Sequence, residues 1–303
     1  MSQTVLITGG TGFIGHHLTT LLQQAGFQVS LLSRSKKTIP DVTVYQWDIQ
    51  KGHIDPQAIA TADHIIHLAG EGVADERWTD KRKDEIINSR VQSTELLAQA
   101  LRKNKHRVQS FVGASAIGFY GADTGDRPLT ETNDGASDFL AQVVRVWERA
   151  EDDIAALSIR TVKIRIGVVL MANGGALPKI AQPIRLGAGA PIGSGQQYVS
   201  WIHLDDICRI MIQGLTDDSW QGVYNGVAPG PVTNETLTRT IAQVLQRPLL
   251  LPNIPAFAIK LLYGEMASVV TGGNYVLNKR ITEETSFQYR YSDLRAALED
   301  LLK

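Results

Sequence analysis

The chain has 303 residues, with 30 Lys+Arg against 31 Asp+Glu for a formal net charge of −1, and is 43% hydrophobic and 20% charged. Such a balance gives no electrostatic pull toward nucleic acid or an anionic membrane surface, and the lone Cys208 excludes an intrachain disulfide framework and a multi-cysteine metal site. No stretch approaches the roughly 18 apolar residues that mark a spanning helix, and the N-terminus opens straight into a strand instead of a basic leader.

The expectation is a cytoplasmic, enzyme-like protein of one or two α/β lobes. Residues 4–8 (TVLIT) read as a buried parallel strand. Glycines follow at once. Phe13 to Ala25 then carries Ile14, Leu18, Leu21 and Leu22 at helical spacing, and Gly26 stops it. Strands are expected over 28–32, 42–47 and 64–68, then a long helix over 77–103 with Ile86, Ile87, Val91, Leu96, Leu97 and Leu101 on its apolar side. A strand over 110–114, a helix over 138–157 and a strand over 161–166 continue the alternation. Strands alternating with helices from the start imply a doubly wound parallel sheet of the Rossmann type.

Beyond residue 170 the pattern loosens. Residues 173–195 read as a Gly- and Pro-rich loop around a short helix, SWIHLDD leads into a helix ending near Gly214, and 223–227 reads as one more strand. Helices follow over 234–245, 256–269 and 293–302, the last introduced by Ser292. The expected division is a dinucleotide-binding domain over 1–168 plus about 198–228, with a smaller C-terminal lobe from about 169–197 and 229–303.

The first turn carries chemistry. Gly9-Gly10-Thr11-Gly12-Phe13-Ile14-Gly15 places G-x-x-G-x-x-G between a strand and a helix. A diphosphate must approach backbone N–H groups that any Cβ would obstruct, and the helix N-terminus adds free donors and partial positive charge. Gly15 permits close helix–strand packing. The second strand then ends in Ser33-Arg34-Ser35-Lys36-Lys37, with no Asp or Glu to accept from a ribose 2′-OH. A guanidinium there suits a 2′-phosphate, so NADP (NADPH) is favoured over NAD, the alternative being a solvated basic turn.

TGGTGFIG at 8–15, SR at 33–34 and LAGE at 68–71 together resemble the extended short-chain dehydrogenase/reductase superfamily. Further segments narrow the likeness: Trp78 with Lys81, Ser89-Arg90, ASAIGFYG at 114–121, RIGVVL at 165–170, GGAL at 174–177, GSGQQYVSWIHLDD at 193–206, YNGVAP at 224–229, PVTN at 231–234, RP at 247–248 and GEMA at 264–267. These resemble its atypical, epimerase-like branch of NAD-dependent epimerases and nucleoside-diphosphate-sugar epimerases, with a small C-terminal domain. The resemblance implies that Gly9, Gly12 and Gly15 hold the pyrophosphate, that Ser33 and Arg34 hold the 2′-phosphate, and that Asp48 faces the adenine. It further implies that Leu68, Ala69 and Gly70 line the path to the nicotinamide ribose and that Glu85, Arg90 and Arg165 reach the cofactor. The plainer alternatives are a turn cap for Asp48 and a surface pair for Glu85 with Arg90.

Ordinary members of that superfamily pass a proton through Tyr-x-x-x-Lys on one helix face, the Lys lowering the Tyr pKa. Counting from Glu148, those positions hold Leu140 and Val144, and one register away Phe139 and Val143. None of these side chains moves a proton. Ser115 and Tyr120 are the remaining catalytic candidates, although a gapless match puts Ala116 at the usual hydroxyl position. A loop serine bonded to backbone and a packed tyrosine are the alternatives. His203 reads as a structural corner, while Trp78, Lys81, Arg82 and the GAGAPIGSG loop at 187–195 are candidates for the pocket mouth and wall. The histidines lack metal-ligand spacing, so no metal is expected. Two functions remain: an NADP-dependent oxidoreductase or epimerase-like enzyme, and a non-catalytic NADP(H)-binding regulator or redox sensor. An RNA-binding offshoot would need a basic face that this composition lacks.

Overall fold

The structure is a computed structural model that describes residues 2–303. Its main sheet contains β1 (Thr4–Thr8), β2 (Gln28–Ser33), β3 (Val42–Asp48), β4 (His53–Ile54), β5 (His64–His67), β6 (Ser110–Ala116), β7 (Arg160–Ile166) and β8 (Gly222–Gly226). The spatial order is β8-β7-β6-β5-β1-β2-β3-β4, and every pairing is parallel except β3 with β4. From β1 the chain first builds outward to β4, then returns to lay β5 on the other side of β1. Open α/β sheets bind ligands at such a reversal, beyond the strands' carboxyl ends.

Among the described residues, eleven helices surround and extend the sheet: α1 (Phe13–Gln24), α2 (Pro56–Thr61), α3 (Asp80–Lys103), α4 (Phe139–Ala155), α5 (Ala176–Arg185), α6 (Leu204–Thr216), α7 (Asn234–Val244), α8 (Ala256–Tyr263), α9 (Ser268–Thr271), α10 (Lys279–Glu284) and α11 (Leu294–Leu302). Because strand side chains alternate between faces, Val5 and Ile7 pack with Leu18 and Leu22 of α1 and Ile207, Ile210 and Met211 of α6. Leu6, Ile65 and Phe111 pack the other way, against Ala58 and Ile59 of α2, Leu97 and Leu101 of α3 and Ile154 of α4. All five β1 residues are buried, as a strand covered on both faces requires. Cys208 lies inside the α1–α6 layer, its Sγ 3.7 Å from the Ile14 carbonyl oxygen, and burial raises its thiol pKa.

A second core joins α5, α7 and α11 through Leu177, Ile184, Leu237, Ile241 and Leu298, closed by Trp201 and Leu170. The strand Trp201–His203 pairs in parallel with Val168–Met171, which folds back antiparallel on Gly174–Gly175. Among the described residues no helix is long and apolar enough to cross a membrane.

Local departures from the sequence reading have local causes. The long helix begins at Asp80, where Thr79 accepts the Arg82 N–H, and not at Arg77. The single helix expected over 256–269 is broken because Gly264 takes φ +62, so α8 stops at Tyr263 and a 3-10 turn leads into α9. Asp293, not Ser292, caps the last helix by accepting the Ala296 N–H at 2.9 Å.

Candidate functional site

Register brings together residues far apart in the chain. Thr8 pairs with Leu32 on one side and with His67 on the other, so the turns after β1, β2 and β5 emerge side by side at one edge of the sheet. The first turn is a cradle from which side chains are absent for steric reasons. Gly9 has φ +67, and a Cβ there would meet the Leu68 carbonyl carbon at 2.8 Å. A Cβ on Gly15 would stand 2.5 Å from both the Gly10 Cα and the Gly9 oxygen. Gly12 occupies the N-cap of α1 with no side-chain cap, and the first turn holds no acidic residue. The leading N–H groups of α1, at Phe13 and Ile14, therefore face outward without a side-chain partner. With Thr11 exposed above them, they are free donors of the kind an anion takes. The cradle fits a diphosphate.

Beneath it lies a feature the sequence reading passed over. The Thr8 hydroxyl oxygen accepts from the Leu68 and Ala69 N–H groups at 3.1 and 3.2 Å and sits 2.7 Å from His67 Nδ1. His67 Nε2 lies 3.0 Å from the Thr94 hydroxyl. The ring is fully buried, and that burial, with Arg90 nearby, brings its pKa down to about 3. A neutral ring accepting at Nδ1 and donating at Nε2 satisfies every partner, and it ties β1, the turn after β5 and α3 into one floor. Nothing marked His67 beforehand except its place as the last residue of HIIH.

On the β2 side, Ser33 is buried and its hydroxyl oxygen accepts the Ser35 N–H. The Arg34 side chain is 78% exposed and reaches across to Glu71, Nη1 to Oε1 at 3.3 Å. Lys36 and Lys37 stand in solvent beside it. No carboxylate follows β2; the carboxylate in reach comes from after β5. Asp48, at the end of β3, caps its own turn by accepting the Lys51 N–H at 3.0 Å, and that hydrogen bond holds its pKa below the usual carboxylate value.

Leu68 and Ala69 are half-buried at the lip, and Gly70 is exposed. A Cβ on Gly70 would come within 3.2 Å of the Arg90 guanidinium, so the glycine makes room for that cation. Arg90 donates to the Ile86 carbonyl oxygen at 2.9 Å and stacks 5.0 Å from the Trp147 ring. Burial brings its pKa down to about 10. Glu85 is bound elsewhere, to Arg82 at 3.1 Å, so Glu85 and Arg90 do not form a surface pair.

Ser115, Tyr120 and Arg165 stand in the interior, where the sequence reading put them at substrate and cofactor. Ser115 donates to Glu148 Oε1 at 2.6 Å, Arg165 grips both Glu148 oxygens at 2.8 and 2.9 Å, and Arg165 Nη1 reaches the Tyr120 hydroxyl at 3.1 Å. Tyr120 donates toward Asn225 Oδ1 at 2.8 Å, and burial raises its pKa, which weakens it as an acid. The physical reason is strand alternation: the residue before Ala116 faces α4, and α4 presents Glu148 there.

Gly118 packs directly on the helix positions that lack Tyr and Lys, since a Cβ on it would lie 3.4 Å from Leu140 Cβ and 3.8 Å from Val144 Cγ2. Trp78 meets Phe139 edge to face at 4.8 Å, a half-buried aromatic lip, while Lys81 points to solvent and Arg82 is buried against the Gly72 oxygen. His203 is a corner, as read. Its Nδ1 accepts the Asp205 N–H, its ring stacks 3.8 Å from Tyr291, and burial lowers its pKa. Phe13, 58% exposed, lays its ring on Gly174, so the start of α1 touches the hairpin that Gly174–Gly175 forms with Val168–Met171. A cavity of about 530 Å³ lies elsewhere, between Leu21, Ile212 and Tyr289.

Comparison with known proteins agrees with this geometry. Residues 254–301 match a domain of unknown function, DUF1731. The chain is 36% identical to the Epimerase family protein YfhF of Bacillus subtilis, over 98% of this chain and 97% of that protein. It is 35% identical to the mouse (Mus musculus) Epimerase family protein SDR39U1, over 98% of this chain and 99% of that one. The crystal structure of human epimerase family protein SDR39U1 (isoform 2) with NADPH superposes with a TM-score of 0.87 at 33% identity, covering 99% of both chains. A UDP-N-acetylglucosamine 4-epimerase from Bacillus cereus, at 18% identity and a TM-score of 0.75, shares the fold. Residues 5–225 match the NAD dependent epimerase/dehydratase family across the cradle, the basic corner and the sheet that carries them, and the chain belongs to that family.

Proposed function

We propose that this chain binds NADP(H) along the carboxyl edge of its sheet and acts, as an epimerase- or oxidoreductase-like protein, on a small carbonyl compound or nucleotide sugar held between sheet and smaller lobe. The observation that carries the reading is the corner after β2, where an exposed guanidinium stands in place of the carboxylate that would favour NAD. The NADPH in the human relative supports it. Bound there, the cofactor supplies a hydride donor or acceptor. The chain's own residues grip its diphosphate through the Gly9–Gly15 amides and its 2′-phosphate through Arg34 and Ser33, with Leu68, Ala69 and Gly70 lining its path, Arg90 beside Gly70, and Glu85 and Asp48 at the edges. NAD is the weaker ligand in this reading.

A second reading has specific support. Leu140 and Val144 hold the family's proton-transfer positions, and the Ser115 and Tyr120 hydroxyls are bound inside the protein. Both facts favour an NADP(H)-binding regulator or redox sensor without turnover. A cytoplasmic setting, without nucleic acid or membrane partner, belongs to either reading and rests on the near-neutral charge and the lone buried cysteine.

Thermal denaturation with NADPH and with NADH tests the shared part. A ligand at 100 times its Kd stabilises the native state by about 2.7 kcal/mol, and NADPH is expected to raise Tm more than NADH. No NADPH shift would refute both readings. A clear shift, followed by no NADPH oxidation or sugar interconversion across a broad panel, would favour the regulator.

A further inference from the structure

We propose that Glu71 sets how strongly the crevice prefers a 2′-phosphorylated nucleotide, by competing with that phosphate for Arg34. This rests on the NADP(H) reading and adds to it a residue with a definite sign.

The two partners are held very differently. Glu71 sits on a fixed turn. Its N–H donates to the Ser89 hydroxyl at 3.0 Å, Ser89 is anchored to the Ile86 carbonyl oxygen at 3.1 Å, and the next residue's carbonyl oxygen, on Gly72, accepts from Arg82 at 2.9 Å. Both flanks of the carboxylate are thus tied to α3. Arg34 stands on an exposed turn and joins the end of β2 to the end of β5, the strands on either side of β1, by reaching Glu71. The other Glu71 oxygen lies 4.0 Å from Arg82, whose closer carboxylate partner is Glu85 at 3.1 Å. Arg34 is therefore the cation that Glu71 holds most closely, and Glu71 is the carboxylate that Arg34 holds.

A guanidinium whose Nη1 is drawn to a carboxylate has fewer donors, and less freedom to aim them, for the bidentate grip that makes phosphate contacts strong. The same carboxylate, left behind, repels the incoming dianion. Both effects act against a 2′-phosphate, and neither acts on a ribose 2′-OH to a comparable degree. The pair is solvent-exposed, and exposed pairs are weak, so it opens readily and trims the preference without abolishing binding.

The test is the Glu71→Gln variant, which keeps size and the backbone bond to Ser89 and removes the charge. Isothermal titration uses NADPH, NADH, adenosine 2′,5′-bisphosphate and ADP, with Tm as a folding control. The expected result is that NADPH and the bisphosphate bind about two- to fivefold tighter, which is about 0.4–1 kcal/mol. NADH and ADP are unchanged, and the gain shrinks at high salt. Unchanged or weaker NADPH binding would overturn the proposal, and so would an equal gain for all four nucleotides. Failure of the underlying reading is separately visible, because the wild-type chain would then bind NADPH no better than NADH before any variant is made.

Discussion

The cradle after β1 can be tested with one methyl group. Gly15→Ala replaces a buried residue in the first turn of α1, where Ala is the better helix former by about 0.8–1 kcal/mol. The new Cβ would stand 2.5 Å from the Gly10 Cα and from the Gly9 oxygen, against an ordinary carbon–carbon contact of about 3.5–4 Å. Both obstacles are backbone, so relief requires the glycine turn itself to move by about 1 Å. Overpacking of this kind costs about 1–3 kcal/mol, leaving a net loss of stability of at most about 2 kcal/mol after the helix gain. The consequence for binding is larger. Each charge-assisted hydrogen bond from that turn is worth about 1.5–3 kcal/mol, so misplacing one or two of them weakens NADPH by at least tenfold. Gly26→Ala is the control: it has φ +87 and no atom within 4 Å of a Cβ. It should cost about 1–2 kcal/mol of stability from left-handed strain and leave NADPH affinity alone. Calorimetric titration and thermal melts on both variants decide the matter. A Gly15→Ala protein that binds NADPH like the wild type would refute the assignment of the cradle.

Three further outcomes are expected. Arg34→Glu should weaken NADPH by about 1.5–3 kcal/mol and NADH far less in fluorescence titrations, and an equal loss for both would show that the corner does not meet a 2′-phosphate. Glu148→Gln leaves Arg165 as an unbalanced charge in the interior, where removing one member of a buried pair costs about 3–5 kcal/mol. Urea denaturation should record that loss, and a change under 1 kcal/mol would mean the network is not the interior anchor its distances describe. Glu151 is fully buried, with neither oxygen hydrogen-bonded, and burial raises its pKa well above the ordinary 4.5, with Lys163 opposing and Glu148 and Asp152 adding to the rise. The folded chain keeps this proton after the unfolded chain has released it. Its contribution is therefore whole below pH 4.5 and falls by about 1.4 kcal/mol per pH unit as pH climbs toward the folded value. Unfolding free energies of wild type minus Glu151→Gln should decline with that slope, and a flat difference from pH 5 to 7 would mean the carboxyl is ionised in the fold.

The parts of the site that lie close together in the chain were legible in the sequence. The glycine turn, the uncapped start of α1 and the basic residues after β2 each carry a local signature, because a turn's conformation and a helix's first donors are set within a few residues. The missing Tyr and Lys were legible for the same reason, as helix spacing fixes which residues share a face. What depended on pairing across the fold was not. Arg34 and Glu71 meet only because β2 and β5 flank β1. His67 reads as one more strand residue until Thr8 and Thr94 are brought to its two nitrogens. Ser115 and Arg165 lie beside motifs that point to the crevice, yet each faces α4, and a one-residue step along a strand is enough to exchange the two sides. The break after α8 escaped notice because GEMA is compatible with helix continuation until Gly264 turns left-handed.

The uncharged imidazole of His67 has a consequence for how grip on a nucleotide varies with acidity. With a pKa near 3, it carries no proton that comes or goes between mildly acid and mildly alkaline surroundings, and its neighbours Thr8, Ser93 and Thr94 are hydroxyls that do not titrate there. This group of side chains therefore keeps the same charge over that whole span. A phosphate monoester, by contrast, gains its second negative charge near pH 6. On the proposed NADP(H) reading, acid sensitivity of binding would then originate outside this floor, and comparing nucleotides with and without the extra phosphate would show whether it lies in that phosphate.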